Sequence, residues 1–322
     1  MTIVDQNKWD VVNSSFGECE LEYTAAYNFG VSEVGALVVF DEIFEQGNAE
    51  GITFSASSGD QGGLACPSTS YFPGFGNGVF MPGVSTPAAD PHVTAVGGGN
   101  LLTTPLPTTQ TRPPTYTAKY VSENSIDNPE IPYSIFGIPG VAVSGGVWDA
   151  GGGVSQIFET PTYQNWLAFY GEYPVGRAVP DIGMHVGGCP GGISAPGACP
   201  VGKESFVWVV LNGEYIGLIG TSVSSPEFVG GLGLFIELAG RQGNVNPMLW
   251  EQGYAQVDLG GEHATPQAQF FHKNQPGKDG VYFHNTTFGF DFMYGNGSPD
   301  VRKPLGIPNL APAGDPQTPS NP

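Results

Sequence analysis

The densest concentration of reactive side chains lies in Gly220-Thr221-Ser222-Val223-Ser224-Ser225-Pro226, directly before the apolar run Phe228 to Ala239. Small hydroxyl residues at the start of a helix accept hydrogen bonds from backbone N–H groups that have no intrahelical partner, and Pro226 fits an early helical turn. A serine there also sits in the positive field of the helix N-terminus, where negative charge developing beside its oxygen is stabilised. An isolated Thr-Ser is an ordinary cap. The whole string Gly-Thr-Ser-x-Ser-x-Pro is far more restrictive, and it marks Ser222 as a candidate nucleophile. A second candidate is Asp60, in Ser57-Ser58-Gly59-Asp60-Gln61-Gly62-Gly63. Aspartate between glycines is commonly a turn residue. It is also an acid that could donate a proton or a hydrogen bond.

The elements that must position these residues read as α/β. Phe206 to Leu211 and Tyr215 to Ile219 flank Asn212-Gly213, the strongest short hairpin signal, because both central residues accept positive φ. Asp10 to Gly17 reads as a buried strand with a small polar end. Val34, Leu37, Val38, Ile43 and Phe44 form a helical stripe that begins near Ser32 and ends before Gly51. Ile52 to Ser57 is a second strand and His92 to Gly98 a third. Strand, helix, strand over about fifty residues predicts a parallel crossover, with ligands collecting at the C-terminal ends of the strands. Residues 103–147, rich in Thr and Pro, read as a long surface excursion.

Composition narrows the class. Gly 49 and Pro 29 make up about a quarter of the 322 residues, yet 40% hydrophobic and 12% aromatic residues belong to a globular, loop-rich fold. Lys+Arg 10 against Asp+Glu 30 gives a net charge of −20, which argues against nucleic acid or an anionic membrane as partner. Such charge is relieved when carboxylates protonate, so the composition suits acid. No apolar stretch reaches membrane-spanning length, and the first residues lack signal-peptide character. Cys189 and Cys199 bracket a short loop that a disulfide could close. Cys19 and Cys66 follow segments that could be neighbouring strands, so a second bridge fits. Two bridges imply an oxidising, secreted setting, and a secreted chain without a signal reads as a fragment. No Cys-x-x-Cys or His pair supports a zinc site built on the cysteines.

Six segments in register resemble the sedolisin (kumamolisin-like) serine-carboxyl peptidases of the subtilisin-like clan: residues 11–17, 57–60, 91–98, 151–155, 179–182 and 220–222. The resemblance implies an α/β, subtilisin-like fold with a mostly parallel central sheet flanked by helices and long Gly/Pro-rich loops. Residues 1–307 would form the catalytic domain and 308–322 a disordered tail. It implies a secreted, monomeric, acid-active endopeptidase acting on polypeptides. Ser222 would be the nucleophile, Asp60 the protonated acid facing the oxyanion, and Ser15, Phe16, Gly17, Gly152 and Gly153 the strand-like rails beside the substrate. Subtilisin proper fits less well, because no histidine stands in a His-Gly-Thr setting.

Two departures from the family pattern stand out. The family's Glu and Asp, four apart on a helix upstream of the first strand, have no counterpart in residues 1–9. The expected domain is therefore N-terminally truncated, lacks a base for Ser222, and is inactive as it stands; a non-catalytic relative that binds peptides or a partner is the alternative. The spacings Glu18/Glu22 and Asp41/Glu45 are helical, but they lie beyond that strand and read as solvated faces. The resemblance also implies one Ca²⁺, held by Asp291 with the carbonyls of Thr287 and Gly289. The other expected aspartate appears as Lys273, so an Asp291–Lys273 ion pair is the competing reading.

Overall fold

The computed structural model describes residues 2–69, 80–103, 120–124, 128–129, 147–170, 175–188, 205, 207–260, 269–272, 277–284, 289–300 and 303. Four parallel strands form its centre: β1 (Val11–Ser14), β2 (Thr53–Ser57), β3 (Val93–Thr103) and β5 (Ile182–His185), in the spatial order β1-β2-β3-β5. The remaining strand, β4 (Tyr120–Asn124), runs antiparallel to the far end of β3. This is the subtilisin-like α/β arrangement expected from the sequence. It differs in two places. The strand from His92 continues to Thr103, and part of the 103–147 excursion is β4. The hairpin is present as β6 (Val207–Leu211) and β7 (Glu214–Leu218), with Asn212 and Gly213 both at positive φ.

Period-two alternation explains why both faces of the sheet are covered. Val12, Phe54, Ala56, Val93 and Ala95 belong to one apolar layer, joined by Ile43 and Phe44 of helix α1 (Val34–Ala49). Their neighbours Val11, Val96 and Ile182 belong to the opposite layer, with Phe228 and Leu232 of helix α2 (Thr221–Ala239) and Leu249 of helix α3 (Asn246–Asp258). On that second face several inward positions are hydroxyls. Thr53 donates to the Gly243 carbonyl at 2.7 Å, Thr94 donates to Asn246 Oδ1 at 2.7 Å, and Ser55 meets Ser225 at 2.8 Å. Small, paired hydroxyls let α2, the turn after it and the start of α3 lie close to the strands without stranding polar groups.

The segment Arg177 to Ile182 contains a buried ion pair. Arg177 donates to both carboxylate oxygens of Asp181, at 2.9 and 2.6 Å, and both side chains are fully buried. Asp181 also accepts from Trp250 Nε1 at 2.6 Å and from the Ala95 amide at 2.7 Å. Arg177 reaches the carbonyls of Asp90, Val93 and Ala178. The carboxylate and the imposed charge of Asp181 raise the Arg177 pKa further, against the desolvation that would lower it.

The Cys19–Cys66 disulfide is present, whereas Cys189 and Cys199 lie outside the described residues, as does the 308–322 tail. Among the described residues no helix is long and apolar enough to cross a membrane.

Removing one partner of the Arg177–Asp181 pair leaves an uncompensated charge in the core. Asp181→Asn or Arg177→Ala is expected to cost about 3–5 kcal/mol in urea unfolding. A loss under about 1 kcal/mol would show that the pair is not what secures this region.

Candidate active site

Ser222 is the second residue of α2, exposed at the C-terminal side of the parallel sheet. Gly220 precedes the helix with φ 122, a conformation that glycine alone adopts freely. A Cβ there would also lie 3.2 Å from Asp60 Oδ2. Asp60 stands directly over the helix start. Its Oδ1 accepts from the Thr221 amide at 2.7 Å and lies 2.9 Å from the Thr221 hydroxyl. That hydroxyl also approaches the Gly59 carbonyl at 3.0 Å and accepts from the Gly59 amide at 3.2 Å. Asp60, and not Thr221 or Ser222, thus accepts the free amide at the helix start, and the loop after β2 is stitched to the start of α2. Burial raises the pKa of Asp60 above the usual carboxylate range, although the two Thr221 donors pull it down.

Pro226 is not in the first turn. It is the sixth residue of α2, where a missing N–H leaves the carbonyl four residues back without its helical donor. That carbonyl belongs to Ser222, and the Ser15 hydroxyl donates to it at 2.9 Å. The Ser222 hydroxyl in turn donates to the Ser15 carbonyl at 3.1 Å. Behind them Asn13 Nδ2 donates to Ser15 Oγ at 2.8 Å, and Ser225 donates to Asn13 Oδ1 at 2.6 Å. Ser55 completes the series by donating to Ser225. The Asn-Ser-Ser end of β1 and the Ser-x-Ser-x-Pro of α2 are therefore two halves of one hydrogen-bonded seam. Asn13 and Ser225 escaped the sequence reading as site residues. The signal was there: a polar asparagine ends an apolar strand, and a proline stands four residues after the serine.

Of the sequence-predicted rails, Ser15 is half-buried and Phe16 is 79% exposed beside Gly17. Gly17 has no room for a side chain, since a Cβ would lie 2.5 Å from the Thr86 carbonyl. Gly152 and Gly153 lie on the other side, next to the Asp60 loop, because the Gly151 amide donates to the Gly59 carbonyl at 2.7 Å. Both are buried. Gly152 packs on the Phe292 carbonyl, and Gly153 pairs with Val179 in a two-residue antiparallel ladder. The structure thus brings Ser15, Ser222, Asp60 and the 151–153 segment together at one end of the sheet. Among the described residues no histidine or carboxylate is hydrogen-bonded to Ser222 Oγ.

No protein-family profile matches the chain. Sedolisin from Pseudomonas sp. (strain 101) is 28% identical over 300 residues, covering 93% of this chain and 41% of the relative. Tripeptidyl-peptidase sed4 from Aspergillus fumigatus is 26% identical over 325 residues, 91% of this chain and 42% of the relative. The solved structure of Pseudomonas sedolisin, a serine-carboxyl proteinase complexed with two molecules of pseudo-iodotyrostatin, superposes with a TM-score of 0.63 at 27% identity. The match covers 95% of this chain and 66% of that one. In sequence and fold the chain is similar to the sedolisins over nearly its whole length. It spans about two fifths of the length of the curated sedolisins it matches.

The sedolisin-type calcium expectation falls on Asp291, Gly289 and Thr287. Thr287 and Lys273 lie outside the described residues, so neither the complete ligand set nor the Asp291–Lys273 pair is visible. Asp291 is buried and folds back on its own turn, its Oδ1 accepting from the Met293 and Tyr294 amides at 2.6 and 2.8 Å. Gly289, with φ 103, begins that turn. Among the described residues Asp291 belongs to no group of three acidic, His or Cys side chains that could share an ion. The described part alone does not make a cage for a hard cation that wants six to eight oxygens.

Of the acidic pairs read as solvated faces, two members are engaged. Glu18 accepts from the Tyr23 hydroxyl at 2.6 Å, and Asp41 from His92 Nδ1 at 2.8 Å. Glu20, between them in neither pair, is fully buried. It accepts from the Ser155 hydroxyl and the Gln156 amide, both at 2.6 Å.

Burial sets the pH response. Desolvation raises Glu20, Glu123 and Glu227 from 4.5 to about 7, and Asp279 from 3.8 to about 6. Below about pH 4 these groups are protonated in both folded and unfolded chain. As pH rises from there to about 7, the unfolded chain gives up protons that the folded chain keeps, so stability falls. His185 works in the other direction, since burial lowers it from 6.5 to about 4, but it is one group against four. The thermal midpoint is therefore expected to be higher at pH 4.5 than at pH 7.5, with Glu227→Gln flattening part of that slope. A midpoint that rises across this interval would contradict the assignment.

Proposed function

We propose that this chain is the core of a sedolisin-type serine peptidase domain that hydrolyses polypeptides in acid. The observation that carries the proposal is the joining of Asp60 and Ser222 through Thr221 at the N-terminus of α2. In this reading Ser222 Oγ attacks the scissile carbonyl. Asp60, whose acid form burial and low pH both favour, donates to the oxyanion that forms, where a charged carboxylate would repel it. Ser15 and Phe16 on one side, with Gly152 and Gly153 behind the Asp60 loop, frame the path of the substrate backbone. The base that takes the Ser222 proton would be the family's glutamate, contributed by residues beyond those described. A calcium ion held by Asp291 with the Thr287 and Gly289 carbonyls, and export to an oxidising compartment suited to the Cys19–Cys66 bridge, belong to the same proposal.

A second reading has an observation of its own. The Ser222 hydroxyl is engaged by the Ser15 carbonyl and by no acid or base among the described residues. A domain in that state would bind peptides along the same groove without cleaving them.

The test uses the longest polypeptide encoded with this chain, digesting a denatured protein substrate at about pH 4, in the carboxylate range, with pepstatin present. Cleavage is expected, with Ser222→Ala abolishing it and Asp60→Asn slowing it by about 10²–10³-fold. Cleavage that survives in Ser222→Ala would overturn the peptidase assignment. Peptide binding with no cleavage in the unaltered protein would select the second reading.

A further inference from the structure

A cluster of metal-ligating side chains lies away from the serine, at the opposite end of the sheet. Asp41 comes from the middle of α1, and Asp90 and His92 from the turn that feeds the N-terminal end of β3. His92 Nδ1 is 2.8 Å from Asp41 Oδ1 and 3.8 Å from Asp90 Oδ1, and the three ligand atoms lie within 4.8 Å of one another. Zinc bonded at its usual 2.0–2.2 Å in a tetrahedron keeps its ligand atoms about 3.3 Å apart. The two His92 separations bracket that value to within about half an ångström, and the Asp41 and Asp90 oxygens lie within 4.8 Å of each other, so modest side-chain rotations would gather all three.

The frame is already built. Asp90 Oδ1 accepts the His92 amide at 2.8 Å, and Asn48, two turns along α1 from Asp41, donates to the His92 carbonyl at 2.8 Å. The Tyr163 hydroxyl donates to the Pro91 carbonyl at 2.8 Å, so the turn is held from the side of α3 as well. Asp90 is 2% exposed at its side chain, while Asp41 and His92 are 29% and 26% exposed, leaving an open side for entry and for a water ligand. The Arg177 guanidinium is bidentate to Asp181 and also lies within electrostatic reach of Asp90, whose carboxylate it partly offsets. Two carboxylates with one imidazole, in a molecule of net charge −20, offer a doubly charged ion near-complete local neutralisation.

We propose that Asp41, Asp90 and His92 bind one divalent transition-metal ion of the zinc type, through His92 Nδ1 and one oxygen from each carboxylate. The mixed nitrogen and oxygen donor set favours zinc and its neighbours over calcium or magnesium, which take oxygen alone. The ion would brace α1 against the entrance of β3, far from Ser222. The inference stands independently of the peptidase reading.

The full chain, stripped with a chelator and dialysed, is titrated with zinc chloride by calorimetry and thermal melting. One zinc per chain and a raised midpoint are expected, with calcium and magnesium giving neither at this site. His92→Gln and Asp41→Asn should each weaken zinc by at least about 100-fold. Cobalt(II) should give a visible d–d absorption that His92→Gln abolishes. No zinc response in the unaltered chain, a lowered midpoint in His92→Gln under chelator included, would leave an ion pair only and overturn the proposal. Zinc binding that persists undiminished in both variants would place the metal elsewhere and overturn it equally.

Discussion

The structure depends most on a charge that has nowhere else to go. Arg177 and Asp181 are both sealed from water, and their hydrogen-bonding directions are filled by each other, by backbone and by Trp250 Nε1. Burying two ions is expensive, and such a pair is often no more stabilising than apolar residues of the same volume. What it supplies is directional. Asp181 ties the start of β5 to β3 through Ala95 and to α3 through Trp250, and its carbonyl accepts from Asn296. Four segments distant in sequence are thereby fixed at one point, and Gly153 and Val154 are paired with Val179 and Ala178 just before it.

From that point outward the architecture is a division of labour between the two faces of the sheet. The α1 face is sealed by methyl and aromatic groups, whose attraction scales with area and tolerates sliding. The α2 face adds hydroxyls that meet one partner each. The directional contacts of α2 itself, Ser225 with Ser55 and Asn13 and Ser222 with Ser15, fix the start of the helix on the strands. The placement of Ser222 relative to Asp60 follows from them.

Much of this was legible in the sequence, for reasons that can be named. The Asn-Gly hairpin, the α1 stripe and the parallel strands are local signals, carried by turn chemistry or by periods of 3.6 and 2. The site was legible as short strings: Gly-Thr-Ser-x-Ser-x-Pro, Ser-Gly-Asp and Asn-Ser-Ser each retain a geometric demand within a few residues. Contacts between remote side chains leave no such imprint. The Glu20–Ser155 bond joins residues 135 apart, and Asp41 meets His92 across 51 residues. For the same reason Asp41 reads as one more exposed helix carboxylate. The strand β4 is hidden inside a Thr- and Pro-rich stretch, because its partner is the extension of β3 past Gly98, which the strand signal of His92 to Gly98 does not reach.

The proline of α2 has a consequence for assembly. By withholding one donor from its own helix, Pro226 leaves a single acceptor open on an otherwise self-sufficient surface, and the hydroxyl that fills it arrives from 207 residues away. A helix complete in itself would rest on any sheet with a suitable apolar face. This one carries a lock cut for β1, and the docked position that satisfies it is the one that sets Ser222 beside Ser15. The bond favours this docked position over near misses that leave the acceptor to water.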